Sequence, residues 1–192
     1  LGANDGIVSV AALVVGVAGA TSSTHDIFIA GIAGLLAGAL SMAVGEYVSV
    51  SSQRDTEKAL LAKEKYELEH FPAEELEELT KIYEKKGIGR ATAEIVAREL
   101  TEHDAFAAHV EAELQIDPNN LTSAWQAAFA SAASFTIGAL LPLCAIMLPP
   151  EEYRVIVTFG SVLVALTITG IFSAKASKAQ VIPVVVRMIA WG

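Results

Sequence analysis

The chain has 192 residues, 53% of them hydrophobic and 18% charged, with a formal net charge of −9. An ordinary soluble domain carries about 25% charged residues, so the balance points to a membrane. The negative charge excludes a basic nucleic-acid face, and the lone Cys144 excludes an intrachain disulfide and a cysteine-type zinc site.

The charge is concentrated. Between Arg54 and Asp117 there are nine Lys or Arg and seventeen Asp or Glu, a net of −8, which leaves −1 for the rest of the chain. An acidic insert between apolar segments favours cations as partners. The first apolar run lacks a basic leader and a cleavage site, so no signal peptide is expected. The first residue is Leu1, so a preceding segment is expected.

In chain order, Gly6 to Thr24 is an uncharged stretch of 19 residues and reads as a first membrane helix. Thr21 to Asp26 is a short polar turn. Ile27 to Val50 has 24 residues and one charge, Glu46, enough to cross a bilayer core of about 30 Å. No Pro or Gly lies between Glu46 and Phe71, and Gln53 to His70 is rich in strong helix formers. One helix is therefore expected to leave the membrane and continue into the acidic insert. Pro72 ends it. Ala73 to Lys86 predicts an amphipathic helix with Leu76, Leu79, Ile82 and Tyr83 on its apolar face. Gly87 and Gly89 end that helix, and Arg90 to Ile116 predicts a third, with Ile95, Ala105 or Phe106, Val110 and Leu114 inward. Asp117 to Asn120 closes the insert. Three helices of this size bury a thin core, which a second copy would thicken. Leu121 to Pro150 is uncharged and interrupted by Pro142, Val155 to Ala174 is a fourth span, and Val181 to Gly192 reads as the start of a fifth. Trp125 and Trp191 suit the interfaces. Lys and Arg concentrate in the insert and in the 175–180 loop, which places both in the cytoplasm.

Two groups of residues invite chemistry. In the membrane, Asp5 and Met42 lie at similar distances along their helices from the Thr24 turn, and Glu46 follows one turn after Met42 on the same face. Intramembrane carboxylates mark ion paths by default, unless they sit at the interface or pair with Lys or Arg. A thioether beside carboxylates suits a transition metal, although a lone Met at helical spacing is ordinary packing. Gly31, Gly34, Gly38, Met42, Gly45, Glu46 and Ser49 form a small and polar stripe, open to reading as a packing seam or a permeation path. In the insert, Glu64 and Glu67, then Glu75 and Glu78, repeat an i, i+3 spacing that puts each pair on one helix face. Glu99, Glu102, His103, His109 and Glu113 populate the third helix. Converging pairs make an oxygen-rich metal site; separate pairs make solvated acidic faces. Glu67-x-x-His70 also matches one element of di-iron carboxylate bundles.

The motifs Gly2-Ala-Asn-Asp-Gly-Ile-Val-Ser9 and Ser41-Met-Ala-Val-Gly-Glu-Tyr-Val-Ser49, the latter running into Gln53-Arg54-Asp55, resemble the vacuolar iron transporter family of yeast vacuolar and bacterial membrane proteins. The resemblance covers essentially the whole chain. It implies a homodimer with its pathway at the subunit interface, moving Fe2+ out of the cytoplasm in exchange for protons. It maps the family's membrane ligands onto Asp5 and Met42, with Glu46 beside them in the path, and its insert glutamates onto Glu64, Glu67, Glu75, Glu78 and Glu113. Family members also use methionines just before the last of these. Here His109 and Val110 stand there, and His109 is a candidate nitrogen ligand.

The expected architecture is all-α: a polytopic membrane bundle of five transmembrane helices, the last truncated, with a three-helix cytoplasmic metal-binding insert. Membrane helices 1 and 2 occupy residues 1–52, the insert 53–118, and helices 3 to 5 residues 119–192. The expected activity is transport, not catalysis, with Fe2+, Mn2+ or Zn2+ as the bound and carried ion and no permanent cofactor. Expected partners are a second copy, the lipid bilayer and protons, in a vacuolar or bacterial inner membrane. The alternative is a membrane-anchored, ferritin-like di-iron oxidase or iron store, which needs a second Glu-x-x-His element.

Overall fold

Runs rich in Ala, Val and Leu give long helices joined by short turns, with no strand among the described residues. These are residues 2–118 and 122–191 of a computed structural model, without the Trp191 side chain. Asn119, Asn120, the Leu121 start of the third span and the interfacial place of Trp191 lie outside them. The helices are α1 (Gly2–Ala20), α2 (Thr24–His70), α3 (Pro72–Lys85), α4 (Arg90–His109), α5 (Ala124–Met147), α6 (Arg154–Ala176) and α7 (Val181–Trp191). A π-helical turn, Val110–Leu114, extends α4, and a 3-10 turn, Glu151–Tyr153, precedes α6. Three helices are long and apolar enough to cross a membrane, those containing Thr24–His70, Ala124–Met147 and Glu151–Ala176. Gly2–Ala18 and Val181–Ala190 are shorter apolar stretches. The chain divides into two compact units, Leu1–Val48 with Ala124–Gly192, and Ser49–Ser123. The unbroken α2 contributes to both.

The first unit is assembled on small residues. Gly2, Gly6 and Gly138 are all buried where α1 meets α5. A Cβ on Gly6 would run into the Phe135 carbonyl oxygen, and one on Gly138 into the Ala3 carbonyl oxygen. Backbones at that distance gain dispersion contacts that larger side chains forbid. The glycine stripe of α2 packs within the same chain: Gly31 receives Leu143 and Val14, Gly34 receives Leu13, and Gly38 receives the Phe135 ring. Val10, Val14, Ile27, Leu35, Phe135, Ala139, Leu143 and Ile146 form the core of this unit. On α2, Leu36, Leu40, Val44 and Val48 repeat every four residues and stay exposed.

The ends of this unit are tied differently. Arg154 donates to the Ser22 carbonyl (3.3 Å) and to Thr24 Oγ1 (2.5 Å), joining the start of α6 to the α1–α2 turn. At the opposite end, Thr169 on α6 donates to Asn4 Oδ1 at 3.1 Å.

In the second unit, Pro72 stands at the start of α3, where its missing N–H costs nothing. Gly87 has φ of +94°, and its N–H bonds to the Glu84 carbonyl while Ile88 N–H reaches Tyr83. That paired closure of the helix end favours glycine. Arg90 then binds Glu77 through two nitrogens (2.9 and 2.6 Å), Glu84 (3.2 Å) and Glu94 (2.6 Å), clamping the turn between α3 and α4. The core here is Leu79, Ala97 and Ala112, with Leu76, Ile82, Tyr83 and Leu100 around it. The apolar face predicted for α3 is the face that packs. The third insert helix departs from the expectation: it breaks at Asp104 (φ −162°, ψ 93°) and ends in the π-turn. Ile95, expected inward, is 59% exposed, because Ala93 and Ala97 define the packed face instead.

Replacing Gly138 by Ala should destabilise the protein in detergent by about 1 to 3 kcal/mol, the usual cost of overpacking. Gly16→Ala meets open space and should leave thermal unfolding unchanged. Equal melting temperatures for the two variants would refute the close packing of α1 on α5.

Candidate metal centre

The second unit gathers its acids from three elements. The late part of α2 supplies Glu64, α3 supplies Glu75, and the end of α4 with the following π-turn supplies His109 and Glu113. His109 is 0% exposed, Glu64 3% and Glu75 6%. His109 Nδ1 lies 3.0 Å from Glu64 Oε1, 3.5 Å from Glu75 Oε2 and 3.9 Å from Glu113 Oε2. One ligand atom each from Glu64, Glu75 and His109 falls within 4.8 Å of the others. The spread suits a shared ion between them.

The geometry is poor for hydrogen bonding and good for a cation. Despite the 3.0 Å approach, neither His109 Nδ1 nor Glu64 Oε1 makes a hydrogen bond, and His109 Nε2 has no partner either. Buried polar atoms left this way cost free energy unless something satisfies them. A divalent ion between the imidazole and the carboxylates would do so.

Electrostatics point the same way. Burial pushes the Glu64 carboxyl up to about 7, and the negative charges of Glu113, Glu75, Glu67 and Glu78 add to the shift. Glu75 is raised by burial first and then by Glu78, Glu67 and Glu113. Burial lowers His109, against an upward pull from Glu113 and Glu78, so its imidazole is neutral at pH 7 with a lone pair to offer. Without an ion the cluster holds protons; with one, the ion supplies the positive charge.

The other predicted ligands stand further out. Glu67 is half-buried and pairs with Lys63 at 2.8 Å. Glu78 is exposed but close enough to raise Glu75. Glu113 sits at the rim. Glu99, Glu102 and His103 are exposed and outside the cluster. His70 is exposed, stacks on Tyr66 at 3.9 Å, and donates Nδ1–H to the Tyr66 carbonyl at 2.8 Å. His70 thus stands outside the Glu64–Glu75–His109 cluster, and the sequence offers no second Glu-x-x-His element for the di-iron alternative. The residue that sequence spacing missed is Asp104, whose carboxylate accepts the Ala107 N–H at 2.9 Å. An Asp three residues before Ala107 carries that capping signal, but it sits inside a run that otherwise reads as one helix.

The first unit holds a second candidate site. Asp5, Ser9, Val10, Leu13, Gly34, Gly38, Ser41, Met42 and Phe135 line a pocket of about 250 Å³. Ser9 donates to Asp5 Oδ1 at 2.8 Å. Asp5 and Met42 thus share a pocket, as their positions along α1 and α2 predict. Glu46 is exposed and does not line it.

Metal binding must displace the Glu64 proton wherever that proton is present. Each ion bound at pH 6 should release about one proton from Glu64, and near pH 8 about none, so affinity falls as pH drops below about 7. The sign for the metal-free protein is opposite: a raised carboxyl favours the folded state at low pH, and that contribution is lost as pH rises from 4.5 through about 7. Titration calorimetry in two buffers of different ionisation enthalpy checks the first statement. Glu64→Gln should abolish the difference between pH 6 and pH 8; an unchanged difference would contradict the assignment.

Comparison with known proteins identifies the family. A family model described as the VIT family matches residues 1–192. The chain is 44% identical to a protein of Acanthamoeba castellanii named vacuolar iron transporter, over 91% of this chain and 64% of that protein. It is 32% identical to vacuolar iron transporter homolog 2.1 of Arabidopsis thaliana, over 100% of this chain and 72% of the relative. For VIT-like transporter 1b of Glycine max the identity is 34%, over 100% and 67%. The chain thus spans about two thirds of the length of these relatives, and they are named as transporters rather than enzymes. With that family model matched over residues 1–192 and these relatives 32–44% identical, the chain belongs to the VIT family.

Proposed function

We propose that this chain is the core of a transporter that moves Fe2+, and with it Mn2+, out of the cytoplasm across a vacuolar or bacterial membrane in exchange for protons. The observation that carries this reading is the buried Glu64–Glu75–His109 cluster, with its unpartnered nitrogen and oxygen atoms. Oxygen ligands with one imidazole suit borderline divalent ions such as Fe2+, Mn2+ and Zn2+. The names of the relatives favour iron among them.

The working arrangement has five membrane helices, α1, the first part of α2, α5, α6 and α7, with the Ser49–Ser123 unit in the cytoplasm. Two ties within the first unit support the topology. Arg154 joins the α5–α6 link to the α1–α2 turn, so the two lie at one end of the unit, the far side in this arrangement. Thr169 and Asn4 lie together at the other end, with the 175–180 lysines. The exposed row Leu36, Leu40, Val44 and Val48 fits lipid or a second copy, and a homodimer would bring two Asp5–Met42 pockets to a shared path.

In this mechanism the insert takes up Fe2+ on Glu64, Glu75 and His109, with Glu67, Glu78 and Glu113 as outer carboxylates. The ion passes to Asp5 and Met42, which replace part of its water shell, with Glu46 on the route. Protons from the far side compete for the carboxylates and release it.

In liposomes with an acidic lumen, wild-type protein should take up Fe2+, and Asp5→Ala should lower the rate at least tenfold. Glu64→Gln combined with Glu75→Gln should reduce uptake at low Fe2+ and leave it at saturating Fe2+. Normal uptake by a folded Asp5→Ala variant would refute the membrane pathway.

A further inference from the structure

The phase of the third insert helix raises a question that the ligands alone do not answer. Residues of an unbroken α-helix turn by about 100° each. Ala93 and Ala97 mark the face of α4 that is buried. Along a continuous helix Ala108 and Ala112 lie about 20° and 60° round from Ala97, and both pack with it in the Leu79 core, whereas His109 stands about 120° round. Yet His109 is fully buried, with Nδ1 at 3.0 Å from Glu64.

Between that core face and His109 the backbone leaves the helix at one residue. Asp104 leaves the helical region with φ −162° and ψ 93°, an extended backbone that any residue adopts. Its Oδ1 accepts the N–H of Ala107, three residues on, at 2.9 Å. That is the geometry of a helix N-cap, so a new helix starts at Ala105. His109 is its fifth residue, and the Val110–Leu114 π-turn that holds Glu113 follows directly. Such π-turns concentrate at functional sites.

We propose that Asp104 is a positioning residue of the metal centre: its carboxylate caps the 105–109 helix and so holds the segment that brings His109 and Glu113 to Glu64 and Glu75. The inference rests on the metal-centre reading. Asp104 is exposed and is no ligand. Its role is to keep α4 from running through. Ala105, Ala107 and Ala108 are strong helix formers, so losing the cap favours a continuous helix with His109 swung away.

The test uses the full chain in detergent with Mn2+ as the probe, read by binding affinity and by the imidazole nitrogen coupling in pulsed electron paramagnetic resonance. Asp104→Ala should weaken Mn2+ binding about five- to tenfold, in line with the loss of one cap, and should remove the nitrogen coupling. Asp104→Glu keeps the charge and should lose the coupling as Ala does. Asp104→Asn and Asp104→Ser keep a capping oxygen and should restore both readouts. Helical circular dichroism should not fall in any of them. A nitrogen coupling retained by Asp104→Ala, or lost by Asp104→Asn, overturns the positioning role alone. A wild-type protein without nitrogen coupling overturns the metal-centre reading and this inference with it.

Discussion

A neutral imidazole with no exposed surface faces two buried carboxylates and bonds to neither. Removing carboxylates from water raises their proton affinity, and crowding them raises it further. In the second unit this raises Glu64 to about 7 and raises Glu75 as well, so Glu64 can exchange its proton for a metal near neutral pH. The rest of that unit keeps the arrangement in place. The Arg90 clamp and the Gly87 closure fix α3 against α4, and Leu79 and Ala97 supply the contact beneath. The binding site is thus built from the ends of helices whose middles are packed.

The first unit follows a different rule. Its helices meet through glycine, and the contacts are backbone to backbone on α1 and α5. Lipid offers no hydrophobic drive between helices, so close approach and dispersion must hold them. That packing places Asp5 and Met42 at one pocket, with the Phe135 ring seated on Gly38 beside it. Packing seam and permeation path need not compete: Gly34 and Gly38 serve close packing and also line the pocket.

Much of this was legible in the residues. Composition and apolar run length pointed to the three described helices long enough to cross a membrane, and the absence of Pro and Gly after Glu46 foretold the continuous α2. The i, i+3 spacing found the acids, but could not say which member of each pair turns inward. Residues three apart differ by about 60° around the helix, which is enough to bury Glu64 and leave Glu67 to pair with Lys63. His70, three residues after Glu67, likewise lies outside the cluster, stacked on Tyr66. His109 was legible as a ligand only through the family resemblance. The helix before it breaks at Asp104, whereas periodicity assumes an unbroken helix. The misplaced Ile95 shows the same weakness, because small Ala93 and Ala97 carry the close contact while the larger apolar residue faces out.

The measurement that bears most directly on this account is an anomalous-scattering map at the iron edge from the Fe2+-loaded protein. The account predicts a peak bonded to His109 Nδ1 and to carboxylate oxygens of Glu64 and Glu75, with Glu113 beside it. A density map with those side chains ordered and iron found only at exposed acids of the insert would contradict it.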